Sequence, residues 1–210
     1  MTTTEAHTEY QLLDGIQNEE SFLHVAMKLG DPIALADGNF IKELKVRSKR
    51  DAKINTLGSR FGTGMFPFHT DTAFWSPPAR LVLLRAVSGD LSRGTYVKPF
   101  DDLFEGISGH EIRRSVWICD TGKRKFYSTI SFEASHQRGY RFDPNCMRPA
   151  NALAKQIEEI IKPRCLELNK NRIGWQPNMV AVIPNWTHLH ARGASNSSQQ
   201  ERTLQRIYLR

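Results

Sequence analysis

The segment Phe66-Pro67-Phe68-His69-Thr70-Asp71-Thr72 sets an imidazole and a carboxylate two residues apart. In an extended chain residues i and i+2 point to the same face, so His69 and Asp71 stand side by side. Such a pair offers two ligands to one metal ion. A third ligand from elsewhere would complete two histidines and one carboxylate on one face of an octahedron, leaving three positions open for substrate chemistry. H-x-D is three residues long and occurs widely, so the reading needs a second segment.

The C-terminal part of the chain supplies one. Asn185-Trp186-Thr187-His188-Leu189-His190-Ala191-Arg192-Gly193 is followed by a polar Ser/Asn/Gln stretch and then by Glu201-Arg202-Thr203-Leu204-Gln205-Arg206-Ile207-Tyr208-Leu209-Arg210. His188 and His190 fall on one strand face, and either could be the missing ligand. In the terminal strand Arg202, Leu204, Arg206, Tyr208 and Arg210 share a face. Two arginines pointing into a barrel would be costly unless anions met them. Arginine also grips a carboxylate with two parallel hydrogen bonds, so Arg202 and Arg206 read as anion holders. By strand alternation Met65 and Trp75 share the inward face with His69 and Asp71, which ranks them above Phe66 and Phe68 as walls of a substrate pocket.

Taken in order, F-H-T-D at 68–71, Gly94-Thr95, L-H-A-R at 189–192 and R-T-L-Q-R at 202–206 resemble the taurine dioxygenase and clavaminate synthase branch of the Fe(II)/2-oxoglutarate oxygenases. The resemblance covers roughly residues 20–210, and His190 and Arg202 lie 12 positions apart. It implies His69, Asp71 and His190 as iron ligands, and Arg202 and Thr95 as partners of the distal carboxylate of 2-oxoglutarate. It further implies Arg206 as the grip on an anionic substrate group. His190 is preferred to His188 because it alone sits in the L-H-x-R context of the family. The implied activity couples O2 and 2-oxoglutarate to hydroxylation of an unactivated C–H bond, with release of succinate and CO2. The implied substrate is a small anionic or amino-acid-like molecule. A carboxylate at Asp71 favours oxygenation over halogenation, since the halogenating relatives carry a small residue there.

These residues need elements to hold them. Phe22, Val25, Ala26 and Leu29 repeat at helical spacing and stop at Gly30, which predicts a short amphipathic helix over 19–29. Leu153, Ala154, Ile157, Ile160 and Ile161, between Pro149 and Pro163, predict a second helix over 150–162. Between and after them lie strand-like runs: IKELKV, RLVLLRAV, SVWICD, KFYSTISF, MVAVIP and TLQRIYL. Short strands that do not alternate with helices point to a mainly β architecture. With the resemblance, this becomes a double-stranded β-helix, or jelly roll, with a short N-terminal helix and one helix inserted before the last two strands. Residues 1–210 read as a single oxygenase domain, and the polar residues 1–12 as loosely ordered.

Composition bounds the alternatives. The 210 residues carry 29 Lys+Arg against 22 Asp+Glu, a formal charge of +7, and 40% hydrophobic residues, enough for one core. The basic cluster at 42–53 is the only dense one and lacks a recognised nucleic-acid motif, so nucleic acid is not the expected partner. No apolar run or leader pattern suits a membrane, and a soluble, cytoplasmic enzyme is expected. Cys119, Cys146 and Cys165 form no C-x-x-C pair and read as reduced packing residues. Expected cofactors are Fe(II), 2-oxoglutarate and O2, the partner is a small molecule, and homo-oligomerisation is left open. Two other readings stand beside this one: a metal-binding jelly roll that does not use 2-oxoglutarate, and a basic nucleic-acid-binding or modifying module.

Overall fold

A computed structural model describes residues 9–45, 60–89, 91–168, 171–194 and 202–210. Its frame is a five-stranded antiparallel sheet ordered β1-β12-β4-β14-β2. The strands are β1 (Gln11–Leu13), β2 (Lys42–Lys45), β4 (Leu81–Ser88), β12 (Val180–Pro184) and β14 (Thr203–Leu209). Facing it is a four-stranded sheet ordered β11-β5-β13-β3, made of β3 (Phe66–His69), β5 (Thr95–Pro99), β11 (Arg172–Ile173) and β13 (His188–Arg192). A three-stranded sheet of β10 (Met147–Pro149), β6 (Trp117–Asp120) and β7 (Lys125–Ser128), and a hairpin of β8 (Ser131–Ala134) and β9 (Gln137–Tyr140), extend it.

Side-chain alternation divides each central strand of the large sheet between two cores. Leu81 and Leu83 of β4, Val180 and Val182 of β12, and Ile207 and Leu209 of β14 pack outward against Phe22 and Ala26. Val82, Leu84, Ala86, Ala181, Ile183, Leu204 and Tyr208 pack inward, between the two sheets. Burial on both faces is why RLVLLRAV reads as a continuous apolar run without visible alternation. The same division sets Arg206 inward, between Leu204 and Tyr208.

Helix α1 (Glu19–Leu29) covers the outer face of the large sheet. Asn18 caps it, its Oδ1 accepting from the Ser21 N–H at 2.8 Å. Gly30 ends it where a Cβ would come within 2.8 Å of the Arg210 carbonyl oxygen. Helix α4 (Ala152–Arg164) covers the smaller sheet from outside, burying Ala154, Ile157 and Ile161 in the cluster that holds Phe68, Leu189 and Ala191.

The mainly β jelly roll with its two expected helices is the observed architecture, with differences in detail. Two short helices, α2 (Phe100–Leu103) and α3 (Gly109–Arg114), also form. They are too brief to show periodicity, although the Ser108/Glu111 capping box of α3 is a readable signal. KFYSTISF is two strands, because the chain leaves β7 at Thr129-Ile130 and pairs β8 with β9 instead. Among the described residues four strands, not two, follow α4, and Pro163 lies inside its last turn, where a proline forfeits only one helical hydrogen bond. Gln11 and Leu12 are not loose: β1 pairs with Val180–Val182 of β12. Of the basic cluster only residues 42–45 are described, as β2, and residues 1–8, 46–53 and 195–200 lie outside the described residues.

Candidate metal centre

Strands β3 and β13 are antiparallel neighbours, and their register sets His190 opposite His69. Asp71 follows two residues after β3. Here the chain leaves the extended form: Thr72, buried, adopts φ +56°, a left-handed conformation unfavourable for a β-branched residue. The turn is held from several sides. The Asn185 side chain accepts from the Asp71 N–H at 3.0 Å and donates to the carbonyls of Asp71 and Ala79 at 3.0 and 2.8 Å. The Thr72 hydroxyl donates to the Asp71 carbonyl at 2.6 Å and accepts from the Ala79 N–H at 2.8 Å. Arg141 donates to the carbonyls of Ala73 and Trp75 at 3.2 and 2.7 Å. The Asp71 backbone is therefore fixed before any ligand arrives.

The result is one group of ligating atoms. Those of His69, Asp71 and His190 all lie within 4.8 Å of one another. His69 Nε2 is 3.7 Å and His190 Nε2 3.6 Å from the two Asp71 carboxylate oxygens. His69 Nδ1 lies 2.9 Å from the Pro67 carbonyl, which fixes that nitrogen as the N–H and leaves the Nε2 lone pair facing Asp71. Two imidazole nitrogens and a carboxylate, too far apart for hydrogen bonds and all buried, converge on one gap. That donor set suits a divalent transition metal such as Fe(II).

The electrostatics show the strain of holding these groups together. Burial opposes charge on Asp71, yet Arg206 and the two histidines outweigh it and keep the carboxyl well below the usual carboxylate range. Burial, with His69 and Arg206 adding repulsion, depresses His190 to about 3, so its imidazole is neutral. His69 goes the other way: burial disfavours its charge, but the facing Asp71 carboxylate prevails and raises it.

Arg206 Nη1 donates to Asp71 Oδ2 at 3.0 Å, and its guanidinium lies 4.3 Å over the Tyr208 ring. Tyr208 in turn meets Trp75 edge to face at 5.7 Å. Asp71, Arg206, Tyr208 and Trp75 thus form one contiguous wall. Trp75 reaches it through the turn at Thr72 and not by strand alternation, which ends at His69. Met65 is half-buried just before β3.

At another corner Arg202 Nη1 donates to the Arg93 carbonyl, two residues before Thr95. Thr95 Oγ1 accepts from Trp175 Nε1 at 3.0 Å. Arg192 lies 3.4 Å over the Phe66 ring and donates to the Gly62 and Gly64 carbonyls. Arg93 donates to the carbonyls of Thr63, Gly64 and Gly193. Burial, with Arg93 and Arg202 nearby, lowers Arg192 to about 9. Arg192 is therefore a clamp on residues 62–64. His188 is not part of the metal group: its Nδ1 lies 3.0 Å from the Thr187 hydroxyl, and burial lowers its pKa. All three cysteines are free, and burial raises each thiol, which makes them poor nucleophiles.

Sequence reasoning missed Asn185, Thr72, Arg141 and Trp175, and gave Tyr208 a place on the inward face without a role. Asn185 alone left a local trace, as an amide between a strand and the His-x-His run. The others act through long-range contacts that no spacing announces.

This architecture is that of the jelly-roll oxygenases of the taurine dioxygenase and clavaminate synthase type. Solved structures that share it include an asparagine oxygenase in complex with Fe(II), 2S,3S-3-hydroxyasparagine and succinate, at a TM-score of 0.76 and 14% identity over 96% of this chain and 74% of that one. The non-haem iron oxygenase OrfP in complex with Fe and alpha-ketoglutaric acid matches at 0.70 and 17% identity, over 91% of this chain but only 63% of its own. A taurine dioxygenase from Burkholderia xenovorans matches at 0.69 and 14%, over 95% and 76%. No protein-family model matches the sequence, and no curated protein is significantly similar to it.

Proposed function

We propose that the chain is an Fe(II)- and 2-oxoglutarate-dependent oxygenase that hydroxylates an unactivated C–H bond of a small anionic or amino-acid-like molecule, releasing succinate and CO2. The observation that carries this is the convergence of His69, Asp71 and His190 across β3 and β13 of a jelly roll. Among the structural neighbours are an asparagine oxygenase with a hydroxylated amino acid bound and OrfP with (3S)-hydroxy-L-Arg.

His69, Asp71 and His190 would hold the iron. Bound there with 2-oxoglutarate and O2, it supplies the oxidising power, the co-substrate losing CO2 as it becomes succinate. The chain's own groups do the rest. Arg202, bonded to the Arg93 carbonyl two residues before Thr95, and Thr95 itself would hold the distal carboxylate with a charge-assisted bond and a hydroxyl bond. Arg206 commits one arm to Asp71, while its buried Nε makes no hydrogen bond among the described residues. That spare donor is the grip for a substrate carboxylate. Trp75 and Tyr208 form the apolar wall that keeps water from the reacting C–H, and Met65 is assigned to the same pocket. Asp71 fills the carboxylate position among the ligands, which favours oxygen transfer over halogenation.

The test is to add 2-oxoglutarate to the purified protein with Fe(II), ascorbate and O2 and to assay succinate. Succinate formation that is lost in His69→Ala, and that needs a higher 2-oxoglutarate concentration in Arg202→Ala with metal still bound, is the expected result. Protein that binds metal but neither binds nor consumes 2-oxoglutarate is instead a metal-binding jelly roll, and the proposal fails.

A further inference from the structure

Trp175 stands between β11 and β12, is 5% exposed, and belongs to the inner core with Val97, Ile173 and Met179. Ile173, two residues earlier, pairs with Thr95 in the β11–β5 ladder, so the indole is anchored beside the threonine it touches. Its Nε1–H reaches Thr95 Oγ1 at 3.0 Å, with both groups buried.

An indole N–H can only donate, whereas a threonine hydroxyl has one hydrogen and two lone pairs. The direction of this bond is therefore settled by chemistry: Thr95 accepts. Among the described residues the Thr95 hydroxyl has no acceptor for its own hydrogen. A free hydroxyl would turn lone pair or hydrogen towards an arriving group with similar ease. With one lone pair already engaged by Trp175, the rotor is biased towards donation. An anion is favoured on this side of the site, because the Arg202 guanidinium is bonded to the Arg93 carbonyl, two residues before Thr95 in the chain.

We propose that Trp175 is a positioning residue for the co-substrate: its indole N–H occupies a lone pair of Thr95 Oγ1 and so aims the Thr95 hydroxyl hydrogen at the distal carboxylate of 2-oxoglutarate. This rests on the functional reading above and adds to it a residue that acts through Thr95, without touching the ligand.

Calorimetric titration of Mn(II)-loaded protein with 2-oxoglutarate, without O2, tests it. Trp175→Phe keeps an apolar aromatic ring, although a smaller one, and removes the N–H. It should weaken 2-oxoglutarate binding about 3- to 10-fold, the span of one neutral hydrogen bond, and leave Mn(II) affinity within about twofold. Thr95→Val should weaken binding as well, and Trp175→Phe added to Thr95→Val should cost nothing further. A purely structural tryptophan would give losses that multiply. Unchanged affinity in Trp175→Phe, or multiplying losses in the double variant, overturns the inference while the functional reading stands. Failure of the wild-type protein to bind 2-oxoglutarate overturns both.

Should Trp175→Phe not fold, the wild-type protein loaded with Zn(II) answers instead. The indole N–H resonance displaced by Thr95→Val belongs to Trp175. It should shift when 2-oxoglutarate is added to the wild type and stay fixed in Thr95→Val. A resonance that ignores the ligand in both overturns the proposal.

Discussion

His69 and His190 are the same residue type a few ångströms apart, yet their surroundings push them in opposite directions. His190 is depressed to about 3 by burial, by His69 and by Arg206, and His69 is raised by Asp71 against the cost of burial. A depressed group loses stability as pH falls: unfolded histidine titrates near 6.5, so His190 stabilises the fold above that pH and the contribution drains away towards 3. A raised group behaves in reverse, and the His69 contribution is complete below about 6.5 and is lost as pH rises through its folded pKa. Metal binding needs both imidazoles neutral. His190 already is, so a proton that the metal displaces comes from His69. Metal affinity should accordingly rise with pH through the His69 titration and then level off. Calorimetry in two buffers of different ionisation enthalpy should count between about a half and one proton released at pH 6.5, since His69 is raised above its ordinary value. Two protons would contradict the neutral His190, and none would contradict the raised His69.

The elements separate what holds the fold from what holds the metal. Phe22 of α1 is fully buried against the outer face of the large sheet, a whole sheet away from His69. Asn185, equally buried, ties Asp71 to Ala79 through three backbone groups. Phe22→Ala should cost about 3 kcal/mol or more in stability and leave metal affinity unchanged. Asn185→Ala should cost less in stability, about 2 kcal/mol, but lower metal affinity about 10- to 100-fold. Chemical denaturation and Mn(II) titration of both variants check this, and metal affinities that follow the stabilities would refute the separation. The helices and the central strands were legible in the sequence because each buries a face at its own period. Phe22, Ala26 and Leu29 mark α1, and Ala154, Ile157 and Ile161 mark α4. His69 and Asp71 stood out by their spacing, His188 and His190 together by their shared strand face and Arg202 by strand alternation, while the preference for His190 and the choice of Thr95 came only through family resemblance. The turn at Thr72 was not, because it depends on Asn185, over a hundred residues further on, and a left-handed threonine is stable only where such a partner waits. The split of KFYSTISF escaped for a similar reason: which strand each half joins is decided by partners and not by its own residues.

Over the whole molecule the charge of +7 first suggests a polyanion as partner, or several anions in the site. The structure uses its arginines mostly in another way, as donors to backbone carbonyls between distant segments. Arg80 bonds the Leu29 carbonyl, Arg85 that of Ile16, Arg93 those of Thr63, Gly64 and Gly193, and Arg164 those of Leu103 and Glu105. Arg141 joins the turn after Asp71 to the strand β9 side of the fold and lies 4.6 Å from the Phe132 ring centroid. Guanidinium suits this task because one planar group serves several acceptors and stacks on a ring, whereas an ammonium is a compact, strongly hydrated point charge. Part of the positive charge thus braces the structure internally, and through Arg93 and Arg141 it braces segments next to the site. Arg141→Lys keeps the net charge and should still lose about 1–2 kcal/mol of stability, since Lys cannot reproduce the fork and is costly to bury. Arg113→Lys, on the exposed end of α3, should lose almost nothing. Because buried groups are little screened, the Arg141 loss should persist from 0.05 to 0.5 M salt, conditions estimated to shorten the Debye length about threefold. Urea denaturation at both salt concentrations reads it. A loss that vanishes in high salt would mean that Arg141 acts as a surface charge, and would return the basic excess to the account of an external polyanion.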